Sequence, residues 1–440
     1  MVGPIVESVK VFEGSKTERP LTKLQGIVAR IKFVLPRLAL FLFVFVIALK
    51  CIDVLWGVIN HTPQRYLLPL YPNFRQRHVS SEFDYEFRTN SLGLRGPEIA
   101  LEKPSRTFRI VVLGDSFVAG NGVAEAEAFP KRLEADLNGT APQAASHLKF
   151  TPPTEVINVG CTGVSTVRAV DLYESLGKQF HPDLVILAYY VGNDLTGVVQ
   201  EQTPEEFKAW RPQGVLRRSV YWLAPNFYLE WKLRRPAATV MGQILRTDTA
   251  SAFPNVLHDL ANAAGYDGDL VTRRYQAIPG EIRHEIETGQ LSEHRVLLAC
   301  LDPAAQRQAI FPTADFFALA WPRTVMHLDQ LRSAAGRDGA RFALVIIPTA
   351  SQVDRKALEF NRKLGYEVDT SWLTEECTTT CALMNWAKER GIAALDLTQP
   401  FRKAHQQLYF PKDTHLTPAG HSRLAELLDE FLKQHDLLGG

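Results

Sequence analysis

Four segments, far apart in the chain, place small or polar residues at points where apolar runs end. The residues with chemical potential in these segments are Ser116, Gly160, Asn193, and Asp413 with His415. A serine hydroxyl is a poor nucleophile at neutral pH and needs a nearby base. A histidine suits that task because its reference pKa is about 6.5. A carboxylate on the other ring nitrogen would fix the tautomer and stabilise the imidazolium that forms.

This set of residues predicts attack on an ester carbonyl by Ser116, with His415 as the base and Asp413 as its partner. The carbonyl oxygen becomes an anion during the attack and needs hydrogen-bond donors. We expect the backbone N–H groups of Ser116 and Gly160 and the side-chain amide of Asn193 to form this oxyanion hole. Losing one such donor costs about 2.7–4 kcal/mol of barrier. Glycine at position 160 also lets the backbone come close to a substrate.

The spacing of the acid and the base sets a condition on this mechanism. Asp413 and His415 are two residues apart, so on a strand their side chains would point to opposite faces. They can cooperate only if the segment PKDTHLTP at 411–418, which has a proline at each end, is a turn. Asp396 is the weaker alternative carboxylate, and His421, inside a predicted helix, is interpreted as structural.

Ordinary structural roles are the alternatives for each of these residues. Ser116 could cap a helix, Gly160 could be a turn glycine, and Asn193 could bond its own turn backbone. Asp413 could be a helix-entry residue and His415 a surface histidine. The stretch GDSFVAGNG could bind phosphate at a helix start, but it lacks the lysine and spacing of a P-loop and the pattern of a dinucleotide site.

The elements that would position these residues alternate along the chain. Five short apolar runs predict buried strands: FRIVVL (108–113), EVINV (155–159), LVILAYY (184–190), FALVII (342–347) and AALDL (393–397). Between them, 165–180 starts at a serine that can cap a helix, and 417–435 starts with Thr-Pro, a cap and a good first residue. This alternation predicts an α/β fold with a doubly wound parallel sheet, in which function collects at the carboxyl ends of the strands.

At the four blocks the chain resembles the SGNH hydrolases, also called GDSL esterases and lipases. The blocks are Gly114-Asp115-Ser116, Gly160, Gly192-Asn193-Asp194, and Asp413 with His415, in the order that the family has them. The resemblance covers about 108–435 apart from an insertion, and implies a flavodoxin-like three-layer sandwich with the same site roles. The family usually spaces its acid and base as Asp-x-x-His, whereas this chain has Asp-x-His. The segment TNSLGLRGPE (89–98) is similar to one that precedes this domain in membrane-anchored bacterial relatives.

The N-terminal region predicts a membrane anchor. The run LALFLFVFVIAL (38–49) is uninterrupted, and it reaches the roughly 20 residues that a span needs if it continues to Ile59 past Lys50 and Asp53. These two charges lie three apart on one helical face, so they could pair or snorkel. Trp56 suits a membrane boundary. A cleaved signal peptide and a buried helix are the alternatives; a long preceding region and the lack of a small-residue cleavage site argue against the signal peptide.

Charge predicts the orientation of that anchor. Seven basic residues precede the run: Lys10, Lys16, Arg19, Lys23, Arg30, Lys32 and Arg37. The positive-inside rule then leaves the N-terminus in the cytoplasm and the bulk of the chain outside. For a Gram-negative source this is an inner-membrane protein with a periplasmic catalytic domain.

Composition excludes several other classes of protein. Of the 440 residues 46% are hydrophobic and 22% charged, as in a globular protein, and the net charge of +1 gives no support for nucleic-acid binding. No cofactor is implied, and zinc is not expected because no second Cys or His pair has ligand spacing.

The sequence does not decide whether Cys377 and Cys381 form a disulfide or are free thiols. Cys161 is interpreted as a small packed residue.

The sequence predicts four parts: a cytoplasmic tail (1–37), an anchor (38–59), a connector (60–105) and an SGNH domain (106–440) with an insertion at 196–322. FDYEF (83–87) in the connector predicts an edge strand.

The leading functional hypothesis is a serine esterase acting on O-acyl esters, with O-acetyl groups on a carbohydrate as the expected substrate and lipid or small esters as alternatives. Relatives outside the cytoplasm transfer acetyl groups to polysaccharides, and some use Asp-x-His, so an O-acetyltransferase is the second hypothesis. An inactive scaffold is the third.

Overall fold

The computed structural model describes residues 19–60, 70–139, 153–201, 203–209, 211–234, 257–259, 261–262, 265–291 and 293–439. The predicted tail, connector, SGNH domain and insertion therefore lie partly outside the described residues. The longest such parts are residues 1–18, 61–69, 140–152 and 235–256. The chain divides into two compact units: residues 1–61 with 211–228, and residues 62–210 with 229–440.

The larger unit holds the strands. They are β1 (Arg75–Val79), β2 (Asp84–Arg88), β3 (Phe108–Gly114), β4 (Thr154–Gly160), β5 (Leu184–Tyr190), β6 (Arg341–Ile347) and β7 (Ala393–Asp396). The last five form one parallel sheet in the order β4-β3-β5-β6-β7. Every residue of β3 and β5 is buried, because helices cover both faces of a parallel sheet. The predicted α/β fold class and the five predicted strands are confirmed.

Helices fill the connections between these strands. In chain order the described α-helices are α1 (Arg19–Asn60), α2 (Ser116–Ala119), α3 (Phe129–Leu137), α4 (Thr166–Ser175), α5 (Asp194–Gln200), α6 (Pro204–Ala209), α7 (Val215–Leu223), α8 (Pro225–Arg234), α9 (Gly268–Ala277), α10 (Gly280–Glu287), α11 (Glu293–Leu301), α12 (Ala305–Ile310), α13 (Ala314–Arg337), α14 (Ala350–Val353), α15 (Arg355–Leu364), α16 (Thr378–Glu389), α17 (Thr398–Arg402) and α18 (Pro418–Gln434). Ser165 caps α4 and Thr417 caps α18, as the sequence predicts. Helix α4 ends at Ser175, and a short 3-10 helix follows at Gly177–Phe180.

Two hydrophobic cores lie on opposite faces of the parallel sheet. Helices α4, α13 and α16 pack on one face, where Val111 and Leu113 of β3 point. Helices α3 and α18 pack on the other face, where Ile110 and Val112 of the same strand point. The alternation of side chains along a strand supplies both layers. The structure is therefore a three-layer sandwich.

The strand order indicates which edge of this sheet is expected to hold a ligand-binding site. From β3 the chain passes to β4 on one side and then to β5 on the other. The carboxyl ends of β3 and β5 thus flank the point where the winding reverses, which is where ligands bind in open α/β sheets. Ser116 follows β3 and Asn193 follows β5.

The connector contains the predicted edge strand, in a sheet of its own. Residues 84–87 of FDYEF lie in β2, which pairs antiparallel with β1 in a two-stranded sheet separate from the main sheet. After this hairpin, Asn90 accepts hydrogen bonds from the backbone of Leu92 and Leu94, and Leu94 is fully buried. We call residues 82–98 the strap. The Cys377 and Cys381 thiols are both free.

The smaller unit contains α1, and its segment Arg30–Asn60 is long and apolar enough to cross a membrane. The sequence indicated that Lys50 and Asp53 could pair with each other on this helix. Among the described residues no ion pair joins them; instead Lys50 contacts Trp222, and Asp53 contacts Asn226 and Phe227. Residues 211–228, predicted as part of the insertion, therefore group with α1.

Candidate active site

Ser116 occupies the first turn of α2, immediately after strand β3. The Asp115 side chain caps this short helix by accepting the Phe117 N–H at 3.0 Å, and it also accepts the Asn193 amide at 2.9 Å. Asp115 is 1% exposed, and burial raises its pKa. The carboxyl ends of β3 and β5 are thus joined by a hydrogen bond directly beside Ser116.

His415 lies between Ser116 and Asp413. Its Nε2 is 2.8 Å from Ser116 Oγ, and its Nδ1 is 2.5 Å from Asp413 Oδ1. The same carboxylate oxygen accepts the His415 backbone N–H at 2.8 Å. Because one oxygen binds both the backbone and the ring of the residue two positions later, the segment is a turn. The geometric condition set by the Asp-x-His spacing is met.

The partners of the imidazole define its protonation. A carboxylate only accepts hydrogen bonds, so Nδ1 carries the proton and Nε2 is free to accept the Ser116 hydroxyl. Burial lowers the pKa of His415, but attraction to Asp413 outweighs it and leaves the pKa above its usual value. Burial raises the pKa of Asp413, and the contacts with His415 more than reverse this, so its pKa lies well below the usual range. The side chains of His415 and Asp413 are 21% and 23% exposed, so a substrate can reach them.

Two charged residues from outside the sequence motifs hold the turn that carries Asp413 and His415. The carboxylate of Glu82, in the strap, accepts the backbone N–H groups of Lys412 and Asp413 at 2.9 Å. Arg295, on helix α11 of the insertion, donates to the carbonyl of Lys412 and to Asn361. Burial raises the pKa of Glu82 and lowers that of Arg295. The strap and the insertion therefore fix this turn from two directions.

The strap also holds the serine turn. The buried guanidinium of Arg95 donates to the carbonyls of Ala119 and Gly120, where α2 ends, and to that of Val123. Carbonyls at a helix end have no partner inside the helix, and a cation there is favourable. One short segment thus contacts both turns that supply the Ser116–His415 pair.

The three predicted oxyanion donors differ in whether another group already accepts their N–H hydrogen bonds. Among the described residues, nothing accepts the backbone N–H of Ser116. The Asn193 amide nitrogen uses one hydrogen on Asp115 and has a second available. The Gly160 N–H is already donated to the Asn158 side chain at 2.9 Å. The predicted set of three open donors is therefore present only in part.

Packing explains why residue 160 is a glycine. A Cβ at this position would lie 2.3 Å from the backbone nitrogen of Ala119 and 2.7 Å from the carbonyl carbon of Val118. The Asn158 amide also donates to the Val118 carbonyl at 2.8 Å. Gly160 thus lets strand β4 pack closely against the serine helix, α2.

The remaining sequence candidates lie outside the cluster. Asp396 accepts the N–H and hydroxyl of Thr398 at the start of α17, and no hydrogen bond among the described residues joins it to His415. His421 is buried and accepts the Phe129 N–H, which is a structural role. Within the described residues no group of three or more His, Cys, Asp or Glu side chains is placed to hold a metal ion.

Residues 312–439 match a family model described as the SGNH hydrolase-like domain of the acetyltransferase AlgX. The chain contains an SGNH hydrolase-like domain. The matched part of this domain includes Asp413 and His415, whereas Ser116, Gly160 and Asn193 precede it. No curated protein matches the chain closely enough to count as a relative. The fold and the family match agree on the superfamily that the four sequence blocks resemble.

The contacts of Glu82 generate a prediction about positioning. We expect Glu82→Gln to lower both the free energy of unfolding and the rate of ester cleavage, since the new amide would direct an N–H group at a backbone N–H. Loss of a hydrogen bond to a charged group costs about 1.5–3 kcal/mol. Chemical denaturation of the full chain in detergent and turnover of a fluorogenic acetate ester measure the two effects. Glu86→Gln, on the exposed side of the same hairpin, is the matched control, and equal effects of both changes would remove this role from Glu82.

The Asp413 contact predicts a pH effect. The pKa of His415 is raised, so the cleavage rate should increase with pH as the ring loses its proton above about pH 6.5. Asp413→Asn removes the raising charge, so this limb should move to lower pH, and the rate should fall roughly 10⁴-fold because the tautomer is no longer fixed. The measurement is the pH–rate profile with a fluorogenic acetate. Asp396→Asn should leave the profile unchanged; the reverse result would assign the carboxylate to Asp396.

Proposed function

We propose that this protein is a serine-dependent enzyme that cleaves O-acyl esters, with an O-acetyl group on a carbohydrate as the expected substrate. The observation that carries the proposal is the continuous hydrogen-bonded chain from Asp413 through His415 to Ser116. A serine, a base within hydrogen-bond reach and a third group that orients the base are the arrangement that activates a hydroxyl. Four blocks in the order of the SGNH hydrolases support the same roles.

In the first half of the reaction, Ser116 Oγ attacks the ester carbonyl while His415 Nε2 takes the hydroxyl proton. Asp413 stabilises the imidazolium, and the Ser116 N–H and the second amide hydrogen of Asn193 stabilise the oxyanion. The tetrahedral intermediate then expels the alcohol, which receives the proton from His415. An acyl group is left on Ser116.

In the second half, His415 takes a proton from a water molecule, which attacks the acyl carbonyl. The intermediate collapses, the free carboxylic acid leaves, and the proton returns to Ser116. Because the base must be neutral in both halves, its raised pKa places the working range above about pH 6.5.

The second candidate is O-acetyl transfer to a polysaccharide, and the match to the AlgX family model favours it. The first half of the reaction is the same. A sugar hydroxyl then replaces water, and His415 takes the proton from that hydroxyl. An inactive scaffold is the third candidate, and the hydrogen bonds from Asp413 through His415 to Ser116 argue against it.

The location that we propose is the inner membrane of a bacterium, with the catalytic domain in the periplasm. The apolar segment Arg30–Asn60 supports the anchor, and the basic residues before it support the orientation. In this arrangement the domain would meet glycans or lipids outside the cytoplasm.

The test supplies an aryl acetate to the full-length protein with and without an oligosaccharide, and measures free acetate and acetylated sugar separately. Ser116→Ala should abolish both products, since it removes the proposed nucleophile. The fold should stay intact. Ser175→Ala, an exposed helix serine, is the control. More acetylated sugar than acetate would assign the transferase, and undiminished turnover by Ser116→Ala would remove Ser116 from the mechanism.

A further inference from the structure

Helix α7 exposes a continuous apolar face. Val215, Leu216 and Trp222 are 83%, 79% and 64% exposed, and Val220 is also exposed. In a helix, residues four and seven apart share a face, so Leu216 lies beside Val220 and Val215 lies beside Trp222. At about 100° per residue these four side chains lie within one half of the helix circumference, and we call this face the stripe. Large exposed apolar patches on a protein mark contact with a partner or a membrane.

The opposite side of the same helix is polar. Arg217, Arg218 and Tyr221 lie together on the half of the helix that faces away from the stripe, and both arginines are exposed. Arg218 folds back to the carbonyl of Pro212 at 3.1 Å. A helix with an apolar face, basic residues on the other face and aromatic residues at its end is typical of one that lies in a membrane interface.

Helix α7 and the start of α8 are docked on the anchor helix. Asp53 accepts the backbone N–H groups of Asn226 at 3.2 Å and Phe227 at 2.8 Å, so it caps α8. The Lys50 ammonium lies 4.1 Å from the centre of the Trp222 ring and donates to the Trp222 carbonyl.

The glycine and the aromatic ring on the next turn of α1 complete this docking. A Cβ at Gly57 would lie 2.3 Å from the Asn226 side chain, so only glycine allows this approach. The Trp56 and Phe227 rings stack at 5.1 Å. Residues 50–57 of the anchor thus form a specific seat for the segment 222–227.

The length of the apolar segment places this seat at the membrane surface. Arg30–Asn60 has 31 residues, about 46 Å of helix at 1.5 Å per residue, whereas the hydrocarbon core is about 30 Å thick. Roughly 20 residues are enough to cross it, so a crossing that begins at Leu38, where the predicted anchor begins, ends near Gly57. Lys50 and Asp53 then lie in the last turns of the crossing, from which their side chains can snorkel to headgroup level, and Trp56 lies at that level, where aromatic side chains are stable.

We propose that helix α7 lies in the lipid interface on the side where the anchor ends, with its apolar stripe among the acyl chains and Arg217 and Arg218 near lipid phosphates. Helix α7 is attached to the membrane-spanning helix through the contacts of Lys50 and Asp53. We therefore infer that the bilayer, and not a protein partner, covers the stripe. The inference rests on the span and not on the proposed catalysis.

The test places a photo-reactive benzoylphenylalanine in the full-length chain, reconstituted in vesicles of phosphatidylethanolamine and phosphatidylglycerol, and identifies adducts by mass spectrometry. We expect the probe at Leu216 to form several-fold more lipid adducts than the probe at Arg217, on the opposite face. The probe at Trp222 gives a second reading at an aromatic position. The probe at Phe43, inside the span, shows that the protein is inserted.

Three results would overturn the proposal while Phe43 labels lipid. Equal and low labelling at Leu216 and Arg217 would place the stripe in water. Adducts of Leu216 with a second copy of the chain would make the stripe a protein interface. Equal and high labelling at both positions would show that the helix has no preferred face toward the lipid.

Discussion

The imidazole of His415 needs two hydrogen bonds at once, one to Ser116 and one to Asp413, and the rest of the site is arranged to hold them. Ser116 is fixed by a strand end, whereas Asp413 and His415 lie in a turn without regular structure. A shift of 1 Å in such a turn is enough to reduce catalysis strongly. The turn is therefore held by two charged groups, half-buried Glu82 and buried Arg295, that contact its backbone.

The strap couples the two halves of the site. Arg95 binds the carbonyls at the end of the serine helix, and Glu82, thirteen positions earlier, binds the N–H groups of the base turn. Both charged groups bond to backbone groups of these turns, which need hydrogen-bond partners where they are shielded from water. This explains why a connector that precedes the domain in sequence is part of the site in space.

The sequence predicted the sheet well because its strands are buried on both faces. FRIVVL and LVILAYY are continuous apolar runs, and such runs have few other stable positions in a fold. It also placed Ser116, His415 and Asp413 close together, since strand ends meet at one edge. It missed Glu82 and Arg295, because a single acidic or basic residue carries no pattern that reveals a long-range backbone contact. The sequence predicts that the Gly160 N–H binds an oxyanion, and no pattern in it indicates that the Asn158 side chain accepts this N–H instead.

We expect the contacts of His415 to make Ser116 a nucleophile. Mass-spectrometric mapping of the adduct that a fluorophosphonate probe forms with the full-length protein measures this reactivity. We expect an adduct on Ser116 that forms rapidly in the unaltered chain and hardly at all after His415→Ala. A folded protein whose Ser116 stays unlabelled, or one labelled equally fast without the imidazole, would contradict this expectation.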